Sequence, residues 1–359
     1  VVFNINMARQ TIFCWILDSG GAGRGAWQGG VIYEFMRWTR QRGCYPLISM
    51  GASAGGYAAA DVATGTEATV MKGWTQWGLE TLPSQHQVPR ELKSFWGMGK
   101  FRLHLIYSIR YVMGESELDG IFASQEEKRL LVFTTRVRRR DQQPFRHADA
   151  VKYFLKSLTR KLPMALKYLP RDYVEDPVIF ATNLPENLQS EYLRPLRREN
   201  FHSVVEASCL VPLAMGSPLQ PKEISVGLIE AENLAMEGDR NAVFMDGGFA
   251  MKMPMRIFES DSRFHDVALW AGADKTIIFS CDRLGNLWET SSRFKRLNSE
   301  PHVQKALEEN RLLIIFPDHK IEAGFLCYDN RVTMRTFFGG QEQATRLLRS
   351  EAVQRFFGI

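Results

Sequence analysis

Apolar residues run along this chain in two patterns. Thr11–Leu17 is a continuous β-branched and aromatic run that stops at a glycine cluster, and it predicts a core strand. Pro46–Met50, Pro177–Asn183, Lys275–Ser280 and Leu312–Phe316 have the same character and predict further strands. Between them, Val31–Trp38, Phe201–Ala207 and Gly340–Phe357 carry apolar residues at helical spacing. Strands alternating with helices predict one α/β domain, its mainly parallel sheet covered by helices on both faces. The domain is expected to span 11–320, with 321–359 a C-terminal helical segment packed on it.

Residues 67–175 depart from that rhythm and predict a helix-rich insertion beside the sheet. Val151, Phe154, Leu155, Leu158 and Leu162 mark a helix over Asp149–Leu169 that Pro163 kinks or ends. Its other face is basic, with Lys152, Lys156, Arg160, Lys161 and Lys167. Leu131–Thr135 reads as a strand running into a hairpin tip at Arg136–Asp141, which carries Arg136, Arg138, Arg139 and Arg140. Two readings of this basic surface stand side by side: a cap with a solvated face, or a peripheral contact with membrane headgroups. Lys222–Glu237 is less regular, and Ile224–Ile229 fits a hairpin strand.

Composition narrows the classes. The chain has 359 residues, 45% of them hydrophobic and 24% charged, which suits a globular protein with a large core rather than a disordered one. No apolar run approaches the ~20 residues of a membrane-spanning helix. Val1–Gln10 lacks the basic and apolar regions of a signal peptide. The five cysteines at 14, 44, 209, 281 and 327 are widely spaced, with no C-x-x-C. That argues against a disulfide framework or a zinc site and for a reducing compartment. The expectation is therefore a cytoplasmic protein with no metal or cofactor, peripheral at the inner membrane surface if its basic face meets lipid. A net charge of +5 without a nucleic-acid-binding motif gives no reason to expect nucleic acid.

Candidate chemistry begins at Gly51-Ala52-Ser53-Ala54-Gly55, a G-x-S-x-G placed between a strand and a helix. A serine on so sharp a turn needs small residues two positions to either side, and the turn lifts its hydroxyl to the positive end of a helix. The motif alone fits a nucleophile or a structural Gly/Ser turn. One βα unit earlier, Asp18–Gly30 joins a strand to a helix through Gly20, Gly21, Ala22, Gly23, Arg24 and Gly25. Backbone N–H groups gathered there suit an anion. A dinucleotide fold fits the G-x-G-x-x-A pattern but needs an acid at the end of the second strand, where Ser49-Met50 stands instead. An oxyanion hole needs a nucleophile close by, and Ser53 follows in the next unit.

In this order the motifs resemble the patatin-like phospholipases, whose glycine-rich loop and G-x-S-x-G open the chain and whose D-G-G or D-G-A comes late. Here Asp246-Gly247-Gly248 supplies the third mark, and Ala207-Ser208-Cys209-Leu210-Val211-Pro212 matches A-S-x-A-x-P in outline. The resemblance covers roughly residues 11–255. Ala22 replaces a usual glycine and Leu210 the second alanine. Neither removes a catalytic atom. The resemblance implies a lipid acyl hydrolase acting on carboxylic esters of phospholipids, lysophospholipids or neutral lipids. It implies a Ser53–Asp246 catalytic dyad, an oxyanion hole at Gly20–Gly25, and Gly51 and Gly55 as supports of the elbow. A non-catalytic scaffold that binds lipid or a partner is the alternative class. A Ser-His-Asp hydrolase is the chemical rival, with His319 as its base because such enzymes place their histidine late.

Substituting the seven histidines one at a time should leave p-nitrophenyl ester cleavage intact. A dead His319→Ala beside an active Asp246→Asn would overturn the dyad and the resemblance together.

Overall fold

The computed structural model describes residues 11–75, 99–122, 128–159, 172–212, 215–220, 239, 241–253, 272–289, 296–324, 327 and 329–359. Its strands are β1 (Phe13–Leu17), β2 (Ile48–Ala52), β3 (Arg129–Arg139), β4 (Tyr173–Ala181), β5 (Leu193–Pro195), β6 (Val243–Asp246), β7 (Lys275–Phe279) and β8 (Leu312–Ile315). Its helices are α1 (Gly21–Gln41), α2 (Ala54–Thr64), α3 (Glu67–Thr75), α4 (Gly99–Val112), α5 (Glu115–Phe122), α6 (His147–Thr159), α7 (Arg198–Cys209), α8 (Pro301–Glu308), α9 (Asn330–Leu347) and α10 (Glu351–Phe357).

All the strands belong to one sheet in the order β5-β4-β3-β2-β1-β7-β8, with β6 paired to β3 off that path. Among the described strands, the pairs β1–β2, β2–β3, β1–β7, β7–β8 and β4–β5 are parallel, and β3–β4 and β3–β6 are antiparallel. Side chains of β1 alternate between two cores, as a strand's period requires. Phe13, Trp15 and Leu17 join a cluster with residues of α1, α2 and α9, while Cys14 and Ile16 join a second one with Met50, Phe133 and Val303. Both faces are thus covered, and the α/β architecture read from the chain is the one observed.

Several details differ from the sequence expectation. Residues 67–175 are not a helical insertion as a whole, because they contain β3, buried from Leu130 to Val137 and paired to three other strands. An eleven-residue strand is long enough to take one neighbour along its first half and another along its second. The basic run is no hairpin tip, since Arg136–Arg139 continue β3. Arg136 is fully buried and pairs with Asp176, Glu191 and Asp239 at 3.0–3.2 Å. Arg139 pairs with Asp141 and, at 3.2 Å, with Asp149. The Arg136 guanidinium is thus committed inside the protein, and that of Arg139 is tied to carboxylates at its edge.

The first helix starts at Gly21, ten residues before the apolar periodicity does. Each glycine in a helix interior costs roughly 1 kcal/mol relative to alanine, so the offset lies in packing. Any side chain at Gly25 or Gly29 would collide with the Trp74 indole, and one at Gly30 with the Phe337 carbonyl of α9. The C-terminal helix begins at Asn330 and breaks at 348–350 into α9 and α10, with Asp329 and Ser350 as side-chain N-caps. Trp27 of α1 donates its indole N–H to Gln343 of α9 at 3.0 Å, which fastens the C-terminal segment to the domain. The helix expected over Asp149–Leu169 is observed as α6; its remainder, and Ile224–Ile229, lie outside the described residues.

Arg136→Ala should lower stability by about 3 kcal/mol, read from urea denaturation. That is the low end for breaking a buried ion pair, because Arg194 still serves Asp239 and Arg138 still serves Asp176. A change within experimental error would mean that the network adds nothing.

Candidate active site

Strand β2 runs parallel to β3 and ends with Ala52 opposite Phe133. On the same flank of β3, β6 runs the opposite way and ends with Asp246 opposite Thr134. Phe133 and Thr134 are consecutive, so the two strand ends meet head to head. Ser53, one residue past β2, therefore faces Asp246, although 193 residues separate them in sequence (246 − 53). β2 delivers Ser53 at the carboxyl edge of the parallel strands, and β6 reaches the same point from the opposite direction.

Ser53 has φ 57° and ψ −133°, a region that a residue with a Cβ seldom occupies. It sits at the N-cap of α2, where serine ordinarily accepts a hydrogen bond from the helix backbone, yet its side chain makes no such cap. The hydroxyl lies close enough to the Asp246 carboxylate to lower its pKa. A Cβ at Gly51 would stand 2.2 Å from the Gly55 carbonyl oxygen, and one at Gly55 would stand 2.1 Å from that of Leu17. The small residues flanking Ser53 are thus required by contact, and they press the elbow against the end of β1.

Asp246 is 4% exposed. Burial pushes its carboxyl up from 3.8 to about 6, partly opposed by the nearby Ser53 hydroxyl and the Gly248 N–H. The Gly248 bond is 2.8 Å. Gly247 is held against β3, with no room for a Cβ beside the Phe133 carbonyl. Thr135 completes the turn by donating to the Asp246 carbonyl at 2.8 Å and accepting from the Ala250 N–H.

A third segment ties the two residues together. At the end of α7, Ser208 Oγ accepts from the Ser53 N–H at 3.0 Å and donates to the Phe133 carbonyl at 2.7 Å. The Cys209 thiol bonds the Ser53 carbonyl, and the Leu210 carbonyl accepts from the Asp246 N–H at 3.0 Å. Residues 208–210 thereby fix both backbones on β3. The A-S-x-A-x-P run marks this segment in the sequence, but the positions alone do not reveal which bonds they make.

The N-terminus of α1 lies against the elbow, with Gly25 in van der Waals reach of Ala54. The first-turn N–H groups of Gly21, Ala22, Gly23 and Arg24 have no acceptor within the helix and stand at its positive end. Gly20 is the N-cap, and Arg24 is exposed. His319, the rival base, is 62% exposed and tied to Asp318 at the end of β8. Three strand spacings separate β8 from β2, about 14 Å. Among the described residues no group of three His, Cys, Asp or Glu side chains is arranged to hold a metal ion, and no helix is long and apolar enough to cross a membrane.

A mainly parallel α/β sheet with a strained serine elbow facing a buried carboxylate defines the class of site. The family model for patatin-like phospholipases matches residues 16–259, more than half of the chain, so this protein belongs to the patatin-like phospholipases, a family of lipid acyl hydrolases. No curated protein matches the chain.

Two outcomes follow from the geometry. Ser208→Ala leaves the Ser53 N–H without its acceptor and should cost about 1–3 kcal/mol of stability, with a loss of activity beyond what unfolding explains. Asp246→Asn should do the reverse for stability. Below about pH 4 the folded and unfolded chains both hold the carboxyl protonated; as pH rises to about 6, the unfolded chain loses its proton first and stability falls by on the order of 3 kcal/mol. The asparagine variant avoids that loss, so its unfolding midpoint should exceed the parent's at about pH 8 and converge with it toward pH 4. Equal midpoints at both pH values would mean that Asp246 is not held above its ordinary value.

Proposed function

We propose that the protein hydrolyses carboxylic esters of lipids with Ser53 as nucleophile and Asp246 as its base. The observation that carries this reading is the uncapped Ser53 at the end of β2, set head to head with a buried Asp246 whose carboxyl is pushed up to about 6. A carboxylate at its ordinary value is a weak base, and one raised toward neutrality accepts a proton far more readily while still ionised at pH 7.

Asp246 takes the Ser53 proton as Oγ attacks the ester carbonyl carbon. Negative charge moves to the carbonyl oxygen, where the N–H groups of Gly20–Gly25 and the positive end of α1 stabilise it. Collapse of the tetrahedral intermediate breaks the bond to the alkoxide, which leaves with the proton held by Asp246. Water then attacks the acyl-Ser53 ester, giving its proton to Asp246, and the same steps release the fatty acid. Strain at Ser53 and the contacts of Gly51 and Gly55 keep the hydroxyl in place without rotamer search.

Ser53→Ala and Asp246→Asn should each reduce hydrolysis of a short-chain p-nitrophenyl ester by several orders of magnitude, and the double variant should lose no more than either single one. Because Asp246 must be ionised to act, kcat/KM should rise with pH through about 6 and level off above it. An active Asp246→Asn enzyme would contradict the assignment.

A further inference from the structure

Beyond the dyad, the carboxyl edge of the sheet carries an apolar projection that neither fold nor chemistry uses. Leu284 is 76% exposed, the highest value among the exposed large hydrophobic residues described. It stands at the tip of the loop after β7, and that loop is built to hold it out. The Asp282 carboxylate accepts from the Leu284 N–H at 2.9 Å, the Asn286 side chain at 2.9 Å and the Trp288 indole at 3.1 Å. These bonds hold the carboxyl below its ordinary value. Gly285, at φ +64°, packs on the ring of Phe316, itself 40% exposed at the end of β8. A rigid turn that displays a leucine beside an exposed phenylalanine costs apolar hydration in the free protein.

The projection lies next to the candidate site. β2, β1, β7 and β8 are parallel neighbours, so Ser53, Gly20, Leu284 and Phe316 all follow strand ends on one edge. The β7 loop is anchored there: the Cys281 N–H donates to Asp18 at 3.1 Å, and a Cβ at Gly20 would meet the Cys281 thiol. The strand-end segment after Phe316 returns to α1, where Gly23 contacts Ala323 and Gly324. Among the described residues, the unpaired charge at this edge is cationic. Arg24, Arg283 and Lys320 are exposed and have no ion-pair partner among the described residues. The acids nearby are engaged: Asp318 by His319 and Arg346, Glu322 by Arg335, and Asp282 within its own loop.

The geometry points to this edge as the surface that docks on an anionic lipid bilayer, with Leu284 and Phe316 entering the interface and Arg24, Arg283 and Lys320 meeting headgroup phosphates. Apolar tips ringed by unpaired cations match an interface that is hydrocarbon within and anionic outside. The assignment rests on the lipid ester hydrolase reading, and it moves membrane contact away from the basic run of 136–140, where Arg136 is buried and Arg138 and Arg139 are paired to carboxylates.

The test is sedimentation with vesicles of phosphatidylcholine, with and without phosphatidylglycerol, using Ser53→Ala protein so that lipid is not consumed. The Ser53→Ala protein should bind the anionic vesicles and bind neutral ones less. Leu284→Asp in that background should lower partitioning roughly ten-fold or more, and Arg283→Glu roughly five-fold with a flatter dependence on anionic lipid. In the otherwise unmodified enzyme, Leu284→Asp should keep its thermal midpoint and its rate on a soluble short-chain ester while losing vesicle-borne lipid turnover. Undiminished vesicle binding by Leu284→Asp, or no vesicle binding by the parent, would overturn the docking surface and leave the hydrolase reading standing. Failure of the enzyme to cleave the soluble ester would instead strike the hydrolase reading, and vesicle binding would still decide the surface.

Discussion

The head-to-head meeting of β2 and β6 on one flank of β3 is the constraint on which the rest of the site depends. A single long strand offers consecutive residues, Phe133 and Thr134, to two partners that run toward each other. Ladder hydrogen bonds therefore set the separation of Ser53 and Asp246, with no need for a flexible loop to bring them together. Ser208, Cys209 and Leu210 then fasten both strand ends from the same side. Sites placed on rigid elements hold their geometry better than sites placed on loops.

The same arrangement explains why the site is unfavourable for stability. Ser53 keeps a left-handed backbone and gives up its helix cap, and Asp246 stays in a setting that disfavours its charge. Each of these opposes folding by an amount on the order of a kilocalorie or more. The compensation is dispersed: two cores that sandwich the sheet, the Arg136 network, and the close crossing of α1 and α9. Strain of this kind persists only where the surroundings over-determine it.

Much of this was legible in the sequence, and the exceptions have physical causes. Apolar β-branched runs marked β1, β2, β4, β7 and β8 because buried strands leave that signature in any context. β3 was visible as a short strand, but not as a central one, because centrality depends on pairing partners far along the chain. The start of α1 was hidden by its glycines, which propensity reads as loop and packing against Trp74 and Phe337 turns into helix. Arg136 looked like surface, since burial of a guanidinium becomes visible only once Asp176, Glu191 and Asp239 are placed around it. The pairing of Ser53 with Asp246 came from motif order alone; periodicity carries no trace of it. Ser208 was marked by its motif, while its two bonds belong to the tertiary structure.

The central claim is that Ser53, activated by Asp246, is the one nucleophile of the protein. Incubation with a fluorophosphonate probe, followed by peptide mass spectrometry, tests it most directly. The account predicts a single phosphonylated residue, Ser53, with labelling that accelerates as pH rises through about 6 and slows sharply in Asp246→Asn. Labelling at another residue, or labelling of Ser53 at an undiminished rate in Asp246→Asn, would contradict it.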